Sequence, residues 1–257
     1  MTAPDHETMP CEQCGERFEN LAMHWEKSQT CLPPPLQADT KAHILGALLG
    51  GAHIREGPTG NRFLEYNTSS EALAKWLAEQ LGHLGKYGTV YEYEQSHRVR
   101  TISHLELSGY EALLTADGCT LPTEITTDET EWIHTEDAGT FTLSPAVARV
   151  WYTLSGSRYE GASTPIPRLR RGSIDATAED WQSLLGQFSP RVYERQVRLS
   201  DGVAWFDFIG WDPESPATEQ WLTNAELTTG TQCPDCNQFF KQIKYHWSQT
   251  DCSPPEE

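Results

Sequence analysis

The chain has 257 residues, 37% of them hydrophobic, and carries a formal net charge of −18 at pH 7. A chain of this length can build a core without disulfides, and no stretch is suited to span a bilayer or to act as a secretory signal. We therefore expect a soluble, intracellular (cytoplasmic) protein that does not bind membranes. An acidic surface repels phosphate, so the charge argues against nucleic acid unless the protein works in concentrated salt. Acids spread through most loops, and a preference for arginine over lysine, favour that high-salt interpretation over an ordinary acidic protein.

The first predicted element is a metal-binding finger in residues 8–36, within CEQCGERFENLAMHWEKSQTC. Its candidate ligands are Cys11, Cys14, His24 and Cys31. A C-x2-C turn places two thiolates on one side of a Zn²⁺ ion, and a short helix presents the histidine and the last cysteine from the other side. A unit of this size buries too little surface to fold alone, so we expect the metal to supply most of its stability.

Residues 41–125 form the first half of the middle region. The predicted elements are a helix over 41–50, a hairpin in HIREG and NRFLEYNTS, an amphipathic helix over 70–82, two strands in TVYEYE and RVRTISHLELS, and a closing helix in YEALLTAD. An acidic linker over 126–143 follows. No role is predicted for Cys119, which lies in an acidic stretch.

The second half, residues 144–228, repeats the same order. Ser144-Pro145 opens a helix through VARVWYTLSG, two strands surround PIPRLRRGS, and ATAEDWQSLLGQF forms the amphipathic helix. RVYERQVRLS and GVAWFDFIGW are predicted as strands joined by Asp-Gly, and ESPATEQWLT ends the half. Each half is therefore αββαββα, which predicts an α+β fold with a duplicated core, a pseudo-twofold within a monomer, and a small finger at each terminus.

The last predicted element, residues 230–256, is a second copy of the finger. Its candidate ligands are Cys233, Cys236, His246 and Cys252. A disulfide in each copy would leave an odd thiol and would be unusual inside a cell, so two structural Zn²⁺ sites are the favoured interpretation. The layout is related to DNA-reading fingers but has a shorter helix, so groove reading, a purely structural role and protein binding all stay open.

Over residues 41–225 the chain resembles the single-chain LAGLIDADG homing endonucleases. The resemblance rests on LGALLGGAHI and AVARVWYTLSG at matching places, on the LSP helix start, and on the Gly-Ser-Arg-Tyr that follows the second motif. It implies that the two motif helices pack closely through Gly46 and Gly50. It also implies that the sheets lie along the major groove of double-stranded DNA, and that each motif helix delivers one metal-binding carboxylate.

Both of those carboxylates are missing, because Gly51 and Ser155 occupy the two positions. Divalent-metal phosphodiester cleavage needs hard oxygen ligands, so we expect a poor nuclease or none, with Mg²⁺ relevant only to an active enzyme. Glu56 and Glu160 lie shortly after the motifs and are possible displaced acids. A plain helix with a glycine cap explains Gly51 equally well.

Arginines in the predicted strands are the candidate DNA contacts, because a guanidinium binds guanine edges and phosphates in a bidentate manner. They are Arg55, Arg62, Arg98 and Arg100 in the first half, with His104 beside them, and Arg158, Arg168, Arg170, Arg171, Arg195 and Arg198 in the second. The favoured hypothesis is a DNA-binding protein on an emptied nuclease scaffold. The alternatives are an active homing endonuclease with displaced acids and a zinc-stapled scaffold that binds protein through its acidic surface.

Overall fold

The computed structural model describes residues 8–28, 30–57, 60–86, 89–93, 96–114, 119–127, 141–159, 165–171, 174–210, 215–216, 221, 226, 230–240 and 242–253. The chain divides into two compact units. The first unit contains Met1–Ile44 and Ala52–Ala112, and the second contains Leu45–Gly51 and Leu113–Glu257. Within the described ranges, no helix has the length and apolar character needed to cross a membrane.

The first unit contains an antiparallel four-stranded sheet, which we call the first sheet. Its strands are His53–Glu56, Arg62–Thr68, Thr89–Tyr93 and Ser96–Arg100, and they lie in the order first, second, fourth, third. The unit's helices are Leu21–Lys27, the start of Ala38–Leu49, Glu71–Gln80, His83–Lys86 and the 3₁₀ helix Leu105–Leu113. Helix Glu71–Gln80 begins as predicted, because the Ser70 side chain accepts the N–H of Leu73 at 3.2 Å. It buries Leu73, Trp76 and Leu77.

The second unit contains a four-stranded sheet of the same strand order, the second sheet. Its strands are Gly156–Tyr159, Ile166–Arg170, Pro190–Val192 and Gln196–Leu199. The helices are the end of Ala38–Leu49, Pro145–Ser155, Ala178–Leu185, the 3₁₀ helix Gly186–Phe188, Gly202–Ile209 and Ile243–Gln249. Short parallel pairs join Cys119–Thr120 to Ile174–Asp175, and Glu124–Ile125 to Thr142–Leu143. The repeated strand order confirms the duplicated α+β fold.

Two small strand pairs belong to the fingers. Met9–Pro10 pairs with Arg17–Phe18, and Thr231–Gln232 pairs with Phe239–Phe240. Each pair is followed by a helix of seven residues. Both fingers therefore contain a hairpin and one short helix.

Several element predictions were wrong. GVAWFDFIGW forms helix Gly202–Ile209 rather than a strand, because Asp201 caps it by accepting the N–H of Ala204 at 3.0 Å. Its aromatic side chains pack as a buried helical face, which a short apolar run does not distinguish from a strand. Conversely, RVYERQVRLS is not one strand, since it turns after Val192 and supplies both strands of a hairpin.

Other boundaries also moved. The strand predicted in RVRTISHLELS ends at Arg100, and the 3₁₀ helix begins at Leu105. PIPRLRRGS is itself a strand over Ile166–Arg170, paired with Gly156–Tyr159. Most of the predicted linker over 126–143, and most of the predicted helix ESPATEQWLT, lie outside the described residues.

Candidate metal centres and nucleic-acid interface

The four candidate ligands of the N-terminal finger come together in space. The ligand atoms of Cys11, Cys14, His24 and Cys31 lie within 4.8 Å of one another, and Cys14 Sγ is 3.7 Å from His24 Nε2. A tetrahedral Zn²⁺ with Zn–S bonds of about 2.3 Å separates neighbouring ligand atoms by roughly 3.5–4 Å. The spacing and the Cys₃His donor set therefore fit zinc.

The C-terminal finger has the same arrangement. The ligand atoms of Cys233, Cys236, His246 and Cys252 also lie within 4.8 Å of one another, with Cys236 Sγ 3.5 Å from His246 Nε2. Cys119, the seventh cysteine, is buried and belongs to neither cluster. Burial raises its pKa to about 12, so it stays a neutral thiol.

The turn after each C-x2-C pair has a left-handed residue at the same place. Gly15 has φ 74° and Asn237 has φ 58°, and each donates its N–H at 2.8 Å to the carbonyl of the first cysteine, Cys11 or Cys233. Glycine and asparagine are the residues that adopt this conformation most readily. The two turns therefore match in geometry although their sequences differ.

Backbone N–H groups in these turns favour the thiolate form that binds metal. The N–H of Cys14 is the main influence that lowers the pKa of Cys11 to about 6, although burial opposes it. For Cys233, burial acts most strongly and raises the pKa, but the N–H groups of Cys236 and Asp235, together with hydrogen bonds from the His246 and Trp247 side chains, outweigh it and bring the pKa to about 6. Deprotonated thiols are the form that coordinates zinc.

An aromatic ring stacks on each candidate histidine ligand, a contact that the sequence did not reveal. The Phe18 and His24 rings are 3.8 Å apart at an interplanar angle of 15°, and the Phe240 and His246 rings are 3.8 Å apart at 12°. Stacking fixes the plane of the imidazole, so each Nε2 is held toward the cysteines. The signal available in the sequence was that Phe18 and Phe240 occupy the same offset.

The N-terminal finger is tied to the first half through the segment over residues 32–36. His104 Nε2 lies 3.0 Å from the carbonyl oxygen of Pro34, and Glu106 Oε1 accepts the N–H of Leu36 at 3.0 Å. The N–H of Glu106 donates to His104 Nδ1 at 3.2 Å, so the neutral imidazole carries its hydrogen on Nε2 and donates it to Pro34. His104 therefore holds the finger in place and is buried away from the sheet surface.

The ends of the two motif helices carry no carboxylate. Gly51 has φ 100° and no side chain, which fits a glycine that ends a helix. The Ser155 hydroxyl donates to the carbonyl of Trp151 at 3.1 Å, within its own helix. These groups do not fit the hard, anionic oxygen shell that Mg²⁺ requires.

One of the two displaced acids is engaged elsewhere. Glu56 Oε2 is 2.9 Å from Arg62 Nη1, and Arg62 also pairs with Glu111. The Glu111 contact comes first among the influences that raise the pKa of Arg62. Glu160 lies outside the described residues. Arg62 therefore forms ion pairs with two acids at the start of its strand. The strand register also places it on the opposite side of the first sheet from Arg55, Arg98 and Arg100.

The exposed face of the first sheet mixes positive and negative charge. Residues directly opposite each other share a face, so the pairs Glu65 with Arg100 and Asn67 with Arg98 lie on one side. Arg55 Nε and Arg98 Nε are 3.7 and 3.9 Å from the Glu65 carboxylate. Arg100 stacks on the Phe63 ring, with Cζ 4.0 Å from its centroid. Glu65 therefore partly neutralises this face.

The exposed face of the second sheet is more positive. Arg168 is opposite Arg198, Arg198 is opposite Arg191, and Arg170 is opposite Gln196. We call these four arginines the arginine face. Within the described part of the chain, no Asp or Glu forms a salt bridge with any of them. Arg168 instead donates to Ser157 Oγ at 2.7 Å and to Gln196 Oε1 at 3.1 Å.

Three predicted arginines do not join this face. Arg158 points to the opposite side of the second sheet and pairs with Glu226 at 2.8 Å. Arg171 donates to the carbonyls of Ala176 and Tyr193, which ties the hairpin turn to the next segment. Arg195 is exposed in that turn. Arg191, in contrast, was missed, because its strand was not distinguished from the one that follows.

Comparisons with known proteins return structures only, since no family model and no curated protein matches the sequence. The homing endonuclease I-WcaI bound to its DNA recognition sequence is similar over 74% of this chain and 90% of its own, with a TM-score of 0.53 and 12% identity. I-DmoI in complex with DNA and Ca is similar over 72% of this chain and 98% of its own, at a TM-score of 0.40 and 15% identity. At this identity the I-WcaI likeness shows a shared fold.

Proposed function

We propose that this protein binds double-stranded DNA on a homing-endonuclease-like scaffold, as a monomer with an internal pseudo-twofold, and does not cleave it. The arginine face carries the proposal. Like charges placed directly opposite each other on a sheet destabilise it, yet Arg191, Arg198 and Arg168 stand in one row across three strands. A phosphate-rich ligand would convert this repulsion into attraction.

The fold supports the same partner. I-WcaI, which shares the fold, is bound to DNA in its structure. A net charge of −18 opposes association with DNA in dilute buffer, so the attraction must be local to the sheets. We propose that the protein works in concentrated salt, where long-range repulsion is screened and short-range hydrogen bonds to bases and phosphates persist.

Loss of cleavage follows from the chemistry of the two helix ends. An attacking water is activated only where anionic oxygens hold a divalent cation against the scissile phosphate. Gly51 offers no ligand, and the Ser155 hydroxyl is neutral and bonded to its own helix. Glu56 would have to break its ion pair with Arg62 to reach a metal.

Two structural Zn²⁺ ions complete the proposal. Each finger supplies three thiolates and one imidazole at zinc-like spacing. In the N-terminal finger, Cys31 is followed directly by the segment that His104 and Glu106 bind. Zinc at this finger would therefore stabilise the first unit as well as the finger itself.

The test is a mobility-shift assay with a pool of random duplexes over a range of salt concentrations. We expect enrichment of a preferred site, and we expect Arg170→Ala to weaken binding to all duplexes and to reduce the salt slope by about one. Enriched duplexes are then incubated with Mg²⁺ or Mn²⁺. Cleavage that persists in purified protein would replace the proposal with an active endonuclease that uses displaced acids. Absence of any DNA binding would favour the zinc-stapled protein-interaction scaffold.

A further inference from the structure

The strand registers align the two sheets residue by residue. His53 and Ser157 each lie two residues after the corresponding motif position, Gly51 or Ser155. His53 is opposite Glu65, which is opposite Arg100, and Ser157 is opposite Arg168, which is opposite Arg198. Arg100 and Arg198 are therefore counterparts. Both lie on an interior strand and on the exposed face of their sheet.

Both counterparts are held by aromatic rings. The Cζ of Arg100 lies 4.0 Å from the centroid of Phe63, and the Cζ of Arg198 lies 3.5 Å from the centroid of Tyr159 and 4.3 Å from that of Tyr193. Stacking on a ring fixes the plane of a guanidinium and removes part of its rotational freedom before a ligand arrives. The aromatic residues lie at different positions in the two sheets, so each sheet stacks its arginine on a ring in its own way.

A guanidinium held in one plane is suited to a ligand with two acceptors in that plane. Guanine offers such a pair, N7 and O6, in the major groove. Phosphates are the alternative ligand, and they are contacted by side chains that extend from the protein surface. On the arginine face, Arg170 and Arg191 are the exposed members. Arg100 and Arg198 are mostly buried and only partly exposed.

We propose that Arg198 and its counterpart Arg100 each read one guanine of the DNA target. This inference rests on the proposed function, and it names the base-reading residues of the same surface. It also predicts an asymmetric target, because the two arginines have different neighbours on the second strand of their sheets. Arg100 is opposite a carboxylate, Glu65, whereas Arg198 is opposite a guanidinium, Arg168. A negative side chain beside Arg100 and a positive one beside Arg198 favour different bases next to the two guanines.

The experiment selects sites from a random duplex pool with the wild-type chain, Arg198→Lys, Arg100→Lys and the control Arg62→Lys. The control makes the same exchange on the other side of the first sheet, where Arg62 pairs with Glu56. Lysine keeps the charge and loses the bidentate fork. We expect each reading variant to lose preference for guanine at one position, and at a different position for each, by roughly 5- to 150-fold. Arg62→Lys should leave every position unchanged.

Tyr193→Leu tests the stacking separately. Tyr193 is exposed, so its loss should leave the fold intact. We expect a weaker guanine preference at the same position that Arg198→Lys affects, and at no other. Equal preference in the wild type and Arg198→Lys, or a uniform loss at all positions, would overturn the inference while leaving DNA binding in place. A wild-type chain that binds no duplex would overturn the proposed function as well.

Discussion

Gly50 and Leu154 occupy corresponding turns of the two motif helices and leave no room for a methyl group between them. A Cβ placed on Gly50 would lie 2.7 Å from the Cβ of Leu154, and one on Gly46 would lie 2.7 Å from the Cβ of Val150. Each contact joins a position of the first motif to the same position of the second. The next residues along the two helices are Gly51 and Ser155, so the pairing places the two positions where the resemblance predicts an acid at matching points.

Gly50→Ala should therefore destabilise the protein. The methyl group must displace the Cβ of Leu154, which is bonded directly to the backbone of a packed helix and moves little, at a cost of about 1–3 kcal/mol. Gly186→Ala is a matched control, because that residue has φ −50° and ψ −40° and nothing within 4 Å of an added Cβ. We expect the control to be neutral or slightly stabilising in urea unfolding. Equal midpoints for the two variants would contradict the close helix contact.

Zinc content gives a second prediction. The purified chain should carry two Zn²⁺ ions, and Cys233→Ser should carry one, because a hydroxyl is a poor replacement for a thiolate ligand. Cys119→Ala is the control, since Cys119 lies outside both clusters, and it should retain two. Metal is measured by elemental analysis after dialysis against a weak chelator. Two ions in Cys233→Ser would show that the C-terminal ligands are wrongly assigned.

His83 should make the first unit sensitive to acid. Burial is the main cause that lowers the pKa of its imidazole from about 6.5, and the neighbouring His104 lowers it further, while the Pro34 carbonyl opposes them. The unfolded chain then binds more protons than the folded chain below about pH 6.5, so stability falls as the pH drops through that value. His83→Gln should lose less stability than the wild type between pH 7.5 and pH 5.5. Urea titrations at these two pH values, which flank the ordinary histidine pKa, measure the loss. An unchanged pH dependence would exclude His83 as the cause.

Glu65 should weaken DNA binding by the first sheet. Its carboxylate lies near Arg55 and Arg98, so Glu65→Gln removes a negative charge from beside both arginines and makes this face more attractive to phosphate. We expect higher affinity and a steeper salt dependence. Glu71→Gln makes the same charge change on a helix, where Glu71 pairs with Lys75, and should have little effect. Equal gains in the two variants would indicate a general effect of net charge.

Local patterns in the sequence determined a large part of this molecule. The repeated Cys and His spacing specified both metal clusters, because a tetrahedral site needs its ligands at fixed positions on a turn and a short helix. Capping residues specified helix starts at Ser70 and Ser144, since a side-chain oxygen satisfies N–H groups that the helix leaves free. The recurrence of element order predicted the duplicated fold.

Only the tertiary structure decided which arginines share a surface. Arg62 and Arg158 differ from Arg100 and Arg198 by strand register alone, and a shift of one residue moves a side chain to the other face of a sheet. The register depends on pairing with strands that are distant in the chain, as does the stacking of Arg198 between residues of two other segments. Tertiary packing also determined that Gly202–Ile209 is a helix. Its short apolar run is compatible with a strand or a helix, and the neighbouring residues that bury one face of it favour the helix.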